Sequence, residues 1–301
     1  MQRMLVLILF ELRKILNRKK ALLFLVALNV IPLVASLALI VAYAKFKSFG
    51  MGEMQFSVLY EGVQWLFTAH VKLFSYIAPF FLALVIGDSF STEFSCGYMK
   101  MLLITPVKRW QVITAKTISI MLFLLLAVTI GGIFLQLDLS VARLITQNSG
   151  LFPEGILPAG LSGPETASTL VSTSAAFQLL FMTFAGNLML IGFFILFSLF
   201  FESAIIMSFS SLSVLMGLHT FYLIASNLLG KIDAWYLNVA QWCFSRHLSD
   251  MFSIDRIQSI LSGKANLFET QIAATMASSF AWAAFFYIIA LLVFSRKQIL
   301  N

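Results

Sequence analysis

The sequence predicts an all-α integral membrane protein, a single transmembrane domain over 1–301 with six transmembrane helices, an N-terminal amphipathic surface helix and a structured outer loop before the last span. Three observations predict it. Apolar residues fill 60% of the chain and charged residues only 11%, with a mean hydropathy of +0.95, more apolar surface than one water-facing core can hide. Runs of roughly 20 mostly apolar residues, the length that crosses a hydrocarbon layer about 30 Å thick, recur between the strongly polar stretches. The strict alternation of a membrane barrel is absent, and a helix satisfies its own peptide groups inside lipid.

The first element is an amphipathic surface helix over 1–20. Leu5, Ile8, Leu9, Leu12, Ile15 and Leu16 form one apolar stripe, while Arg3, Glu11, Lys14 and Arg18 fall mostly off it. The basic cluster follows the apolar stretch and no small-residue cleavage site is evident, which argues against a secretory signal. Six spans follow, at Ala21–Ala44, Leu73–Ser89, Val112–Leu135, Ala176–Phe201, Ala204–Leu228 and Ile272–Phe294. Pro32 and Pro79 sit inside the first two, where proline removes a backbone bond.

Charge fixes the orientation. One side of this topology holds 12 basic residues and four acids (Glu11, Asp88, Glu93, Glu202), a balance of +8, and the other holds 8 basic residues and 9 acids, a balance of −1. Basic residues flanking spans stay in the cytoplasm, which places both termini there, in a multi-pass protein of the cytoplasmic membrane. The net charge of +7 is therefore a membrane feature and implies no nucleic-acid partner. Cys96 and Cys243 fall on opposite sides and do not pair. The outer segments are 45–72, 136–175 and 229–271. The middle one, with Pro153, Pro158, Gly160, Gly163 and Pro164, reads as irregular loop. The last carries Trp235, Tyr236, Trp242 and Phe244, then RHLSDMFSIDRIQSIL, which suits a short amphipathic helix capping the bundle.

Catalytic motifs are scarce. The chain has no GxxxxGK[ST] phosphate loop, no HExxH and no CxxC, and His70, His219 and His247 are far apart, so neither ATP hydrolysis nor a metal site is expected in this chain. Gly160–Gly163 spells GLSG, similar to the serine motif of rhomboid intramembrane proteases. Ser162, however, lies before Pro164 in a polar segment, where a glycine-rich turn is the expected reading.

The fifth span carries two small polar stripes. Ser203, Ser210, Ser213, Gly217, Thr220 and Asn227 trace one, and Ser208, Ser211, His219 and Ser226 its neighbour. Such a face either lines a polar conduit or lets two helices approach closely, and packing is favoured. Asn29 and Asn187, each alone in an apolar span, suit bonds between helices.

The connection between the second and third spans, STEFSCGYMKMLLITPVKRWQVITAK, is the informative stretch. Glu93, Gly97, Leu102, Leu103, Thr105, Pro106, Val107, Arg109 and Lys116 follow the pattern E-x-x-x-G-x-x-x-x-L-L-x-T-P-V-x-R-x-x-x-x-x-x-K. This closely resembles the type-2 ATP-binding-cassette exporter permeases, the six-span subunits related to sodium-extrusion and peptide-antibiotic immunity transporters. That family commonly has Thr where this chain has Tyr98. The resemblance implies that 90–111 is a cytoplasmic coupling elbow for a separate ATPase, which would bind the ATP and Mg that this chain has no site for. It also implies a second permease subunit, as homodimer or heterodimer. Gly97 and Pro106 punctuate two short helical pieces. Met99, Met101, Leu102, Leu103 and Ile104 offer apolar contact to a partner, and Lys108, Arg109 and Lys116 meet lipid phosphates or acidic residues of a partner. Glu93 is expected to pair with Lys100, Arg109 or Lys116 or to stay exposed in water; Asp88 needs a partner that the sequence does not name. A secondary transporter is the first rival class, and a rhomboid-like intramembrane serine protease, which stands or falls with Ser162, is the second. The secondary transporter predicts a charged relay inside the membrane and an internal repeat, and neither is visible.

The charge balance predicts the outcome of labelling intact cells with a membrane-impermeant thiol reagent, in a background lacking Cys96 and Cys243. Ser162→Cys is expected to react and Lys100→Cys to be protected; the opposite pattern inverts the topology.

Overall fold

The computed structural model describes residues 2–27, 29–31, 34, 38, 56–99, 108–148, 173–227, 235–236, 244, 246, 250, 252–261 and 269–296. All of them lie in helices or in the turns beside them, with no strand among them. In chain order these are α1 (Gln2–Leu16), α2 (19–27), α3 (Phe56–Ser95), α4 (Arg109–Asn148), α5 (Thr173–Ser198), α6 (Ala204–Asn227), α7 (Ile254–Leu261) and α8 (Thr270–Arg296).

Among the described residues, five helical stretches are long and apolar enough to cross a membrane: Phe74–Ser95, Arg109–Phe134, Phe177–Ser198, Ala204–Ser226 and Ile272–Arg296. They correspond to the second through sixth expected spans. Half of the first, Ala21–Ala44, lies outside the described residues; 21–27, 29–31, 34 and 38 are helical. At 40 residues each, α3 and α4 are about 60 Å long at 1.5 Å per residue, twice the hydrocarbon thickness. This corrects the reading of 136–175 as loop throughout, because 136–148 continues α4. No glycine or proline interrupts QLDLSVARLITQN; the first breakers, Gly150 and Pro153, come later.

α5 is the axis of the bundle. Its apolar stretch is 78% buried, against 28% for α6 and 22% for α8, and α3, α4, α6, α7 and α8 all pack on it. α5 is apolar all round, as a helix surrounded by others must be. The peripheral helices turn Ile205, Ile206, Phe209, Phe285, Ile288 and Leu292 outward, a surface that lipid tolerates and water does not.

Two contacts set how closely helices meet α5. A Cβ added at Gly192 would sit 2.9 Å from the Ala283 carbonyl oxygen, so α8 lies against bare α5 backbone. Above this crossing, Phe193 of α5 meets Phe244 at 5.0 Å and Phe286 at 5.6 Å between ring centres, and Trp282 stacks on Phe286 at 5.5 Å. Phe244, which the sequence suggests for a membrane interface, is 6% exposed and belongs to this core. The expected amphipathic helix is α7, with Ile257 and Ile260 buried and Asp255 exposed. It packs on α3 and α5, and Arg256 donates to Thr275 Oγ1 of α8 at 2.9 Å.

Gly192→Ala is expected to force α5 and α8 apart and destabilise the bundle by about 1–3 kcal/mol, the usual range for overpacking. Gly217→Ala, where an added Cβ meets nothing within 4 Å, is expected to be neutral or slightly stabilising. Thermal unfolding of the two variants in detergent checks the difference.

Candidate functional site

Three helix ends converge at one cluster of charge. Glu93 stands in the last turn of α3, Lys116 two turns into α4, and Glu11 near the end of α1. All three are buried, at 5%, 1% and 2% exposure. Lys116 Nζ donates to Glu93 Oε2 at 2.7 Å and to Glu11 Oε2 at 2.8 Å. The other Glu93 oxygen accepts from Lys14 Nζ, and from Arg18 Nη2 at 3.2 Å. Arg18 Nη1 also reaches Ser89 Oγ at 3.4 Å. Beside the cluster, Lys20 pairs with Asp88 at 2.9 Å, which supplies the partner that Asp88 requires.

Burial decides the energetics. An exposed ion pair contributes about 0–1 kcal/mol, but a buried lysine without carboxylates would lose its charge or its place. Here two carboxylates share one ammonium, and a second and third cation complete Glu93. The charges sum to +1 over Glu11, Lys14, Arg18, Glu93 and Lys116. Backbone contacts reinforce the joint: Ser119 Oγ lies 2.8 Å from the Ile8 carbonyl of α1, and Ser91 Oγ donates to the Ser198 carbonyl at 3.2 Å.

Local sequence places these groups. α3 ends in a Cys96–Gly97 turn, with Gly97 at φ +71°, a conformation in which any Cβ is strained. Tyr98 and Met99 follow; Met99, expected to face a partner, is instead fully buried in this chain's own core, and Lys116, expected to meet lipid phosphates or a partner's acids, is buried against Glu93 and Glu11. At the start of α4 the Lys108 N–H donates to Gln111 Oε1 at 3.0 Å, satisfying a donor that the helix itself leaves free. Arg109 Nη1 donates to the Ser295 carbonyl at 3.3 Å, at the last turn of α8, where a cation meets the negative end of the helix dipole. Thr114 and the Tyr287 hydroxyl, 2.7 Å apart, add a second α4–α8 contact.

The expected pairing of Glu93 with Lys116 is present, and the alternative of an exposed Glu93 is not. Lys100, Met101, Leu102, Leu103 and Pro106 lie outside the described residues, as does Ser162. Sequence reasoning missed the largest contribution, from α1. Glu11, Lys14 and Arg18, read as the water-facing side of that helix, face the cluster, while Leu5, Val6, Leu9 and Phe10 are exposed. The available signal was their spacing of three and four residues, which puts all three on one face. On α6, Ser210 and His219 are half-buried, Ser213 and Thr220 are exposed, and Asn227 ends the helix. Ser208 and Ser211 are buried and bond back to the Ala204 and Ser208 carbonyls at 2.7 and 3.1 Å. Among the described residues no group of His, Cys, Asp and Glu is arranged to hold a metal.

A family model described as ABC-2 family transporter protein matches residues 7–159, just over half of the chain and a stretch containing every member of the ion-pair cluster. The chain belongs to this family. No curated protein matches it. As an ABC-2 permease it is a multi-pass membrane protein and a transport subunit, and the cluster joins the two roots of its 90–111 connection to its N-terminal helix.

In this ABC-2 permease, Glu11→Gln removes one counter-charge from buried Lys116, and Lys116→Ala strands two buried carboxylates. Each is expected to cost about 3–5 kcal/mol, the usual consequence of breaking a buried pair from one side. Lys20→Ala, at the more exposed pair, is expected to cost under about 1 kcal/mol. Unfolding midpoints in detergent, ranked across the three, check this order.

Proposed function

We propose that this permease is the membrane subunit of an ATP-driven exporter, coupled through 90–111 to a separate cytoplasmic ATPase that holds ATP and Mg. Both termini are cytoplasmic, Ala21–Ala44 is the first of six spans, and α1 lies along the membrane surface. The observation that carries the reading is the Lys116 cluster. A connection that docks a motor subunit must not swing freely on its spans, and both of its roots, Glu93 on one side and Lys116 on the other, are fixed to each other and to α1. Arg109 ties the same connection to the end of α8, so a push on the elbow reaches α1, α3, α4 and α8 together.

ATP binding and hydrolysis close and reopen the ATPase pair, and the elbow passes that motion to the bundle, shifting it between two arrangements. A second permease copy faces the first across the conduit, in a homodimer or heterodimer. The exposed Ser213, Gly217 and Thr220 of α6 supply the close-packing face for it. A secondary transporter would instead place charged side chains along its spans. The buried Lys116, Glu93 and Glu11 gather at one end of the bundle, which favours the motor-driven reading.

The test is copurification of the ATPase, with ATP turnover measured in membranes. Leu103→Asp puts a charge into an apolar contact and is expected to cost several kcal/mol of binding, releasing the ATPase while the bundle stays folded. Arg109→Ala is expected to reduce turnover more than assembly, because a half-exposed hydrogen bond contributes little to binding. Normal assembly and turnover in Leu103→Asp would remove the elbow as the docking surface.

A further inference from the structure

Tyr98 is the first side chain after the Gly97 turn, and it folds back onto α1 instead of pointing along the connection. Lys14 Nζ lies 3.9 Å from the centre of its ring, well inside the distance at which an ammonium is attracted to an aromatic face. The same ammonium bonds Glu93, so Lys14 is held between a carboxylate of α3 and a ring that belongs to the connection. Tyr98 is half-buried, and its hydroxyl stays protonated: burial raises its pKa above the usual tyrosine value, and Glu11 and then Glu93 push it further the same way.

Two features make this contact a joint. The next residue, Met99, is fully buried in the same core as Ile15 of α1, so the root of the connection and the N-terminal helix share one packing unit. Of the charged residues on α1, Glu11 and Lys14 face the Tyr98 side, while Arg13 is exposed.

We propose that Tyr98 is a positioning residue that helps the N-terminal helix follow the coupling elbow, its ring holding Lys14 from the elbow side while Glu93 holds it from the bundle side. The inference rests on the proposed attachment of an ATPase to 90–111. The ring face carries the link.

A spin label at Arg13→Cys, in a Cys96→Ser, Cys243→Ser background, reports the movement of α1 in the complex with the ATPase. Spectra are compared without nucleotide and after trapping with ATP and vanadate. The parent protein is expected to show a nucleotide-dependent spectral shift. Tyr98→Phe, which keeps the aromatic face, is expected to retain it. Tyr98→Leu, which keeps bulk but has no aromatic face, and Tyr98→Ala are expected to show a smaller shift, because the Glu93 and Lys116 ion pairs still hold α1, with the ATPase still copurifying and the unfolding midpoint near that of the parent. A full shift in Tyr98→Leu or Tyr98→Ala overturns the proposal, as does its absence in the parent complex. Failure of the ATPase to copurify with the parent protein is a different result, one that removes the exporter reading and this inference with it.

Discussion

A lysine ammonium with 1% of its surface exposed can exist only where opposite charge is already in place, because the cost of taking it out of water is several kcal/mol even after relaxation. Lys116 meets that condition with one carboxylate from α3 and one from α1. The arrangement makes three segments interdependent. α4 cannot hold its position without Glu93, and Glu93 draws in Lys14 and Arg18, which fix α1. Helix ends that composition alone would leave as separate surface features become one joint, and the connection between α3 and α4 springs from both sides of it.

The rest of the bundle is organised so that this joint has something rigid to act on. α5 is surrounded, and α8 approaches it at Gly192 close enough to exclude a methyl group. The aromatic group of Phe193, Phe244, Trp282 and Phe286 then ties the segment before α7 to the same pair of helices. Close-packed interiors transmit displacement without absorbing it, so a displacement at the Lys116 joint meets stiff neighbours. α6 is the exception. It touches mainly α3 and α5, most of its surface is open, and its small polar residues divide between a buried row that bonds to its own backbone and an exposed row.

Membrane character, the second through sixth apolar spans and the resemblance carried by Glu93, Gly97, Pro106, Arg109 and Lys116 were all legible in the sequence, because each depends on local composition or on residue spacing. For those five spans the limits were legible to within six residues for the same reason, and α7 announced itself through its apolar period. Where the helices run past the lipid, sequence reading stopped too soon: hydropathy marks the hydrocarbon boundary, whereas the helix ends at the next breaker. The 136–148 continuation of α4 follows from that difference.

The face that α1 presents inward was decided only in three dimensions. Its apolar stripe and its charges were both visible, and the usual rule sends the charges to water. That rule compares side chains with solvent alone. It has no knowledge of Lys116, which is 105 residues away from Glu11 along the chain and whose burial makes a carboxylate on α1 more valuable inside than outside. Sequence by itself determined that this protein lives in a membrane, as helices, and which family it resembles. Tertiary structure alone decided which charges meet, because Coulomb energy in a low-dielectric site depends on distances that only the packed helices create.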